Sequence, residues 1–173
     1  NQYGGFVYAG ATMAFTTAYW VLGHYNPREI AFLGCDMSYP KSSKTHFYGT
    51  GTADPLREDI TLISLEAKAA RLYALALAQG CEITNLSQET SRLIAPRRSL
   101  LEPRPKPFKI DKVQKAHALA REQELAYYVA SGRYWEELER FDIKQIKRLD
   151  ALWSTVVIAP PQGAVAPMLS HWI

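Results

Sequence analysis

The sequence predicts an α/β domain built on parallel strands, followed by a helical appendage. Three observations predict it: the short apolar run "IAFLGCDM" (residues 30–37), the amphipathic stretch that ends at Gly80, and the second short run "CEITNLS" (residues 81–87). Strand, helix and strand in that order make a crossover, and such crossovers are nearly always right-handed and parallel. Residues 29–34 and 82–85 are therefore expected as neighbouring parallel strands, with a helix near 60–79 packed on one face.

Residues 10–22, "GATMAFTTAYWVL", carry apolar side chains nearly all round, as a helix wedged between a sheet and other elements does, and Gly23 is its natural stop. "NPRE" turns the chain. The run 30–37 is too short for a helix and is bounded by turn residues, so it reads as a strand buried on both faces. Asp54-Pro55 combines an N-cap with proline at the first helical position, where the missing N–H costs nothing. Leu62, Leu65, Ala69, Leu72 and Ala76 then form one stripe facing a core, which leaves Glu66, Lys68 and Arg71 for water. The prolines of "IAPRRSLLEPRPKPF" (residues 94–108) break regular structure, so 96–110 is expected as an extended basic linker. Beyond it Asp111 caps a helix through about Ala130, Ser131-Gly132 breaks it, and Asp142 caps another running toward Val157. The plan is a sheet domain over 1–95, a linker over 96–110 and a helical appendage with an irregular tail over 111–173.

At 173 residues and 47 % hydrophobic, the chain can bury a sizeable core. A formal charge of +3 suits an anionic ligand and falls short of a nucleic-acid-binding signature. Cys35 and Cys81 form no CxxC pair and read as reduced core residues of a cytoplasmic protein. No run reaches the roughly 20 apolar residues a bilayer span needs, so a soluble or peripheral protein is expected. Lys144, Lys147 and Arg148 with Trp153 fit either a solvated helix face with an anchoring Trp or contact with an anionic membrane. The helices past 110 can bury one face against the core or against a second copy in a homo-oligomer. A start at Asn1 without an initiator Met leads us to expect either a processed product or a fragment of a longer chain.

The segment "DMSYPKSSKTHFYGTG" (residues 36–51) leaves the carboxyl end of the first strand, where open parallel sheets bind ligands. His46 is the side chain there that exchanges a proton near neutral pH. Tyr39 and Tyr48 carry hydroxyls that can donate to phosphate oxygens, and Gly49 and Gly51 let backbone amides come close. Asp36 either orients an imidazole or a sugar hydroxyl, or caps a turn through its own side chain. The plainer reading of His46 is a hydrogen-bonded loop residue. Tyr19, Trp20 and Tyr25 read as packing aromatics, Ser64 has no nucleophile elbow around it, and no glycine-rich phosphate loop is present.

In order, "AGATMAFTTAYWVLGHYNPREIAFLGCDMSY", "THFYG" and "ITNLS", over residues 8–97, resemble the second half of the Rossmann-like bacterial sialyltransferases and the related domains that share their fold. The resemblance implies a partial Rossmann-like three-layer parallel sheet. It also implies metal-independent transfer of a sugar from a CMP-activated donor to a hydroxyl of a glycan acceptor, with no cofactor beyond the donor substrate. His46 becomes the general base, and Tyr39 and Tyr48 steady the departing phosphate. Ala9 and Gly10 occupy the small-residue turn that approaches the donor, and with Asp36 and Gly49 they make up the expected substrate-binding set. Members of that family open on a strand and a Gly- and Asn-bearing nucleotide loop, which residues 1–9 do not supply. The chain is then either the carboxyl part of a larger enzyme or a scaffold without its donor site. Two further classes stay open. One is a pterin or nucleotide diphosphokinase, which needs a metal and more carboxylates near Asp36. The other is a non-catalytic module that docks a partner through 96–107 and the helical tail.

Overall fold

The computed structural model describes residues 2–37 and 59–159. They form a mixed α/β unit in the order α1 (Phe6–Ala9), α2 (Met13–Tyr25), β1 (Glu29–Phe32), a 3-10 turn (Ile60–Leu62), α3 (Leu65–Ala78), β2 (Glu82–Asn85), β3 (Lys109–Ile110), α4 (Lys112–Leu125), two 3-10 turns (Tyr134–Glu136 and Leu138–Arg140), α5 (Ile143–Ser154) and β4 (Val157–Ile158). β1 and β2 pair in parallel, from Glu29 opposite Glu82 to Phe32 opposite Asn85, with α3 as the crossover. The strands are neighbours as the sequence predicts. β1 is shorter than expected and is not buried on both faces: Ala31 is exposed and Leu33 is 73 % exposed. β3 and β4 make a separate antiparallel pair, and no third strand joins β1 and β2 among the described residues.

Local chemistry sets the helix ends. Thr12 caps α2, its hydroxyl accepting from the Phe15 amide at 3.1 Å. The helix runs through Gly23 and stops at Asn26, which takes the left-handed conformation (φ 44°). Gly23 is therefore no stop signal; its missing Cβ leaves room for the Tyr3 ring, which would lie 3.3 Å from one. Asp54-Pro55 falls outside the described residues. α3 itself opens on Ser64, whose hydroxyl accepts from the Ala67 amide at 3.2 Å, and Asp59 caps the 3-10 turn before it. Asp111 and Asp142 cap α4 and α5 as expected. α4 ends earlier than Ala130, at a left-handed Ala126 (φ 50°). That turn lets the Tyr127 amide donate to the Tyr8 hydroxyl, which in turn donates to the Glu122 carbonyl.

The largest departure from expectation is α3. Its apolar stripe faces a core containing Phe15, Leu22, Phe32 and Ile83. Its opposite side, through Ala67 and Ala74, faces a second core of Val7, Tyr8, Ala118, Ile146, Leu149 and Trp153. Lys68 and Arg71, assigned to water by periodicity, are each 2 % exposed. Their charges are met from the carboxyl-terminal helices. Lys68 Nζ donates to Asp150 Oδ1 at 2.8 Å and to the Val7 carbonyl at 3.1 Å. Arg71 grips Glu122 with two bonds (2.6 and 2.8 Å) and also donates to the Tyr19 hydroxyl and the Tyr3 carbonyl. Trp153 Nε1 donates to Glu122 Oε1 at 2.7 Å. Burying a charge is costly unless it is paired and hydrogen-bonded, and here each is both.

Residues 111–159 share this second core with α3 through α4 and α5. Trp153 is buried and cannot anchor a membrane, while Lys144, Lys147 and Arg148 lie on the solvent face of α5. The proline-rich stretch also joins the fold at its ends: Arg97 bridges Asn85 in parallel, and the Phe108 amide donates to the Tyr73 hydroxyl at 2.7 Å. Cys81 is fully buried, and burial pushes its thiol up to about 11, so it stays protonated at neutral pH.

At the opening of the sheet, Glu29 accepts from Thr84 Oγ1 at 2.7 Å and from Arg98 Nη2 at 2.9 Å. Partial burial would raise its carboxyl, but these two bonds outweigh burial and hold the pKa below the usual 4.5. A depressed carboxylate adds stability above its unfolded pKa and loses it as pH falls through the folded value. Glu29→Gln should therefore lower the unfolding free energy by about 1 kcal/mol at neutral pH and by progressively less as the pH falls below 4.5, read from urea curves across that range.

Candidate functional site

Parallel strands joined by one helix put the amino end of that helix, and the loops leaving both strands, at one edge of the sheet. Four hydrogen bonds tie this edge together. The Leu86 amide donates to the Phe32 carbonyl at 2.7 Å, and the Gly34 amide donates to Ser87 Oγ at 2.9 Å, which joins the loops after β1 and β2. The Arg92 amide donates to the Asp36 carbonyl at 2.8 Å. The Ala11 amide donates to Thr61 Oγ1 at 3.1 Å, which draws the turn before α2 against the 3-10 turn before α3.

Backbone conformation here is unusual. Gly34 has φ 70°, and the buried Met37 has φ 56°, a region that a non-glycine residue occupies at a cost. Asn85 is nearly fully buried at the end of β2; its Oδ1 accepts from the Ser87 amide at 2.9 Å, and its Nδ2 meets no acceptor among the described residues. Over the first turn of α3, Arg92 holds Glu66 with two bonds of 2.5 and 2.8 Å. The Arg92 hydrogen bond is the main reason the Glu66 carboxyl sits below its ordinary range.

Of the residues singled out from sequence, Asp36 lies at this edge, half-buried, two residues past Gly34. Ala9 and Gly10 are buried at the end of α1. Their amides are engaged in the turn itself, Ala9 with the Gly5 carbonyl at 3.0 Å and Gly10 with the Phe6 carbonyl at 2.8 Å. Gly10 has φ 81°, and a Cβ there would lie 3.1 Å from both Lys68 Cγ and Phe15 Cδ2, so both backbone conformation and packing favour glycine. Tyr39, His46, Tyr48 and Gly49 lie outside the described residues. Sequence reasoning missed Asn85 and Ser87. The signal was present in "ITNLS", where polar side chains end a buried strand on the ligand edge.

A groove of about 640 Å³, within the range of small-molecule sites, runs from Ala9 along α2 past Thr16 and Trp20 to His24, with Tyr3 and Phe6 on its other wall. Trp20 and His24 line it and, with Tyr25, form an exposed aromatic cluster with ring centroids 4.7 and 5.4 Å from Trp20, so Trp20 and Tyr25 are not core residues, whereas Tyr19 is. Among the described residues no three His, Cys, Asp or Glu side chains gather as a metal-ligand set. Nor, among them, is any helix long and apolar enough to cross a membrane. Comparison with protein-family models, curated proteins and solved structures gives no match.

Proposed function

We propose that the chain is part of a sialyltransferase-like glycosyltransferase, with the parallel β1–β2 pair belonging to a three-layer Rossmann-like sheet and a CMP-activated sugar bound beyond its carboxyl edge. The observation that carries this reading is the convergence at that edge of Asp36, Ser87, Asn85 and the amino end of α3; His46 follows Asp36 by ten positions in the sequence. A helix amino end favours negative charge, and the loops after parallel strands are where α/β sheets take nucleotides.

In this reading His46 removes the proton from the acceptor hydroxyl as the hydroxyl oxygen attacks the anomeric carbon. The bond from that carbon to the CMP phosphate breaks, and the phosphate leaves with the electron pair. The hydroxyls of Tyr39 and Tyr48 donate to the departing phosphate, a task that needs no divalent ion if both are in place. Asp36 orients a sugar hydroxyl or the imidazole.

Thermal melting with CMP, UDP, GDP and pterin diphosphate tests the reading. A CMP-selective rise of about 5–10 °C is expected at a hundredfold excess over Kd, together with sialic acid transfer to a galactoside in the presence of EDTA. A response to pterin with Mg-ATP and none to CMP would assign a diphosphokinase instead. No response to any of these ligands would leave an interaction module.

A further inference from the structure

We propose that Ser99–Glu102 is a preformed anchor that places Leu100 and Leu101 in the headgroup region of an anionic membrane. The two leucines are 72 % and 96 % exposed, side by side at the tip of a tight turn. A scattered surface leucine needs no explanation, but an adjacent pair held outward by a dedicated network does.

Arg98 builds that network. Its Nη1 donates to the carbonyls of Ser99, Leu100 and Glu102 at 3.2, 3.1 and 3.3 Å, while Nη2 is fastened to Glu29 at the start of β1. Glu102 turns its carboxylate inward to accept from the Ser99 amide at 2.7 Å, and its own amide donates back to the Ser99 carbonyl at 3.2 Å. Pro103, Pro105 and Pro107 follow and have no N–H to satisfy. With the Ser99, Leu100 and Glu102 carbonyls already bonded, the tip gives up fewer hydrogen bonds to water when it enters the headgroup layer than an unbonded turn would.

Charge identifies the occupant. Lys106 and Lys109 are exposed beyond the tip, Arg104 is exposed but pairs with Glu82 at 3.4 Å, and the acidic residue of the turn, Glu102, is occupied internally. Two leucines cover far less than the roughly 800 Å² per side that a stable protein interface needs. Paired with a basic flank, they match the combination of apolar insertion and electrostatic attraction that holds peripheral proteins on anionic lipid. These residues differ from the α5 surface considered from sequence, and the inference does not depend on sugar transfer.

Co-sedimentation of the full chain with phosphatidylcholine vesicles, with and without phosphatidylserine, provides the test. Binding to the anionic vesicles is expected, weakening as salt is raised. Leu100→Ser/Leu101→Ser should reduce it on the order of tenfold, and Lys106→Gln/Lys109→Gln roughly thirtyfold. Neither pair should move the melting temperature appreciably, because all four side chains are exposed. Absence of binding to anionic vesicles, or binding untouched by the leucine pair, overturns the proposal. So does a dimer detected by light scattering, lost with the leucine pair, in a protein that ignores lipid; that result gives the tip to a second copy of the chain.

Discussion

Glu122→Ala should lower the unfolding free energy by about 3–5 kcal/mol, a third or more of the stability typical of a domain this size. The substitution leaves the Arg71 guanidinium inside the protein with the Tyr19 hydroxyl and the Tyr3 carbonyl as hydrogen-bond acceptors and the Tyr8, Tyr19 and Trp153 rings around it, but no carboxylate. It also takes away the acceptor of the Trp153 indole N–H. An uncompensated buried cation is far costlier than the net worth of the pair, so the size of the effect reports on Arg71 more than on Glu122. The double replacement Arg71→Met/Glu122→Leu should recover much of the loss, since apolar residues of similar volume often replace a buried pair at little cost. Urea unfolding of the three variants separates the terms. A cost for Glu122→Ala below about 1 kcal/mol would mean that Arg71 reaches water, and the packing of α4 on α3 would need revision.

His46→Ala should cut sugar transfer by about 10²–10⁴ while leaving the CMP-induced rise in melting temperature in place, if the chain is the transferase proposed above. The general base acts only as the acceptor oxygen attacks, so its loss falls on turnover and not on donor binding. Tyr39→Phe serves as the companion variant. Losing one hydroxyl from the departing phosphate should slow the donor-cleaving step and leave the acceptor KM unchanged. A His46→Ala protein that melts earlier and turns over normally would return His46 to a structural role in its loop.

Much of the fold was legible because its signals are local. Asp111 and Asp142 announce α4 and α5 through caps that depend on the next three residues. The β1–α3–β2 crossover follows from two short apolar runs around one amphipathic helix. Lys68 and Arg71 were misassigned because helical periodicity sorts residues by polarity and has no knowledge of a partner. Those partners lie 82 and 51 residues further along the chain, where no sequence window reaches. Gly23 failed in the same way, being a glycine for the sake of the Tyr3 ring brought in from elsewhere. At the candidate site Asp36 was legible as a strand-end carboxylate. Ser87 becomes significant only once its hydroxyl is seen to accept from Gly34 across 53 residues.

The double burial of α3 has a consequence for how the molecule comes apart. A helix that is a wall of both cores cannot release one without exposing the other, and its two buried cations make partial opening costlier still. Melting of the two halves is thereby coupled, and the slowest-exchanging amides belong in α3. Lys68 and Arg71 also hold the Val7 and Tyr3 carbonyls, so the segment that walls the groove along α2 shares the fate of that central helix. Damage to α4 or α5, far from the groove in sequence, reaches it through two side chains.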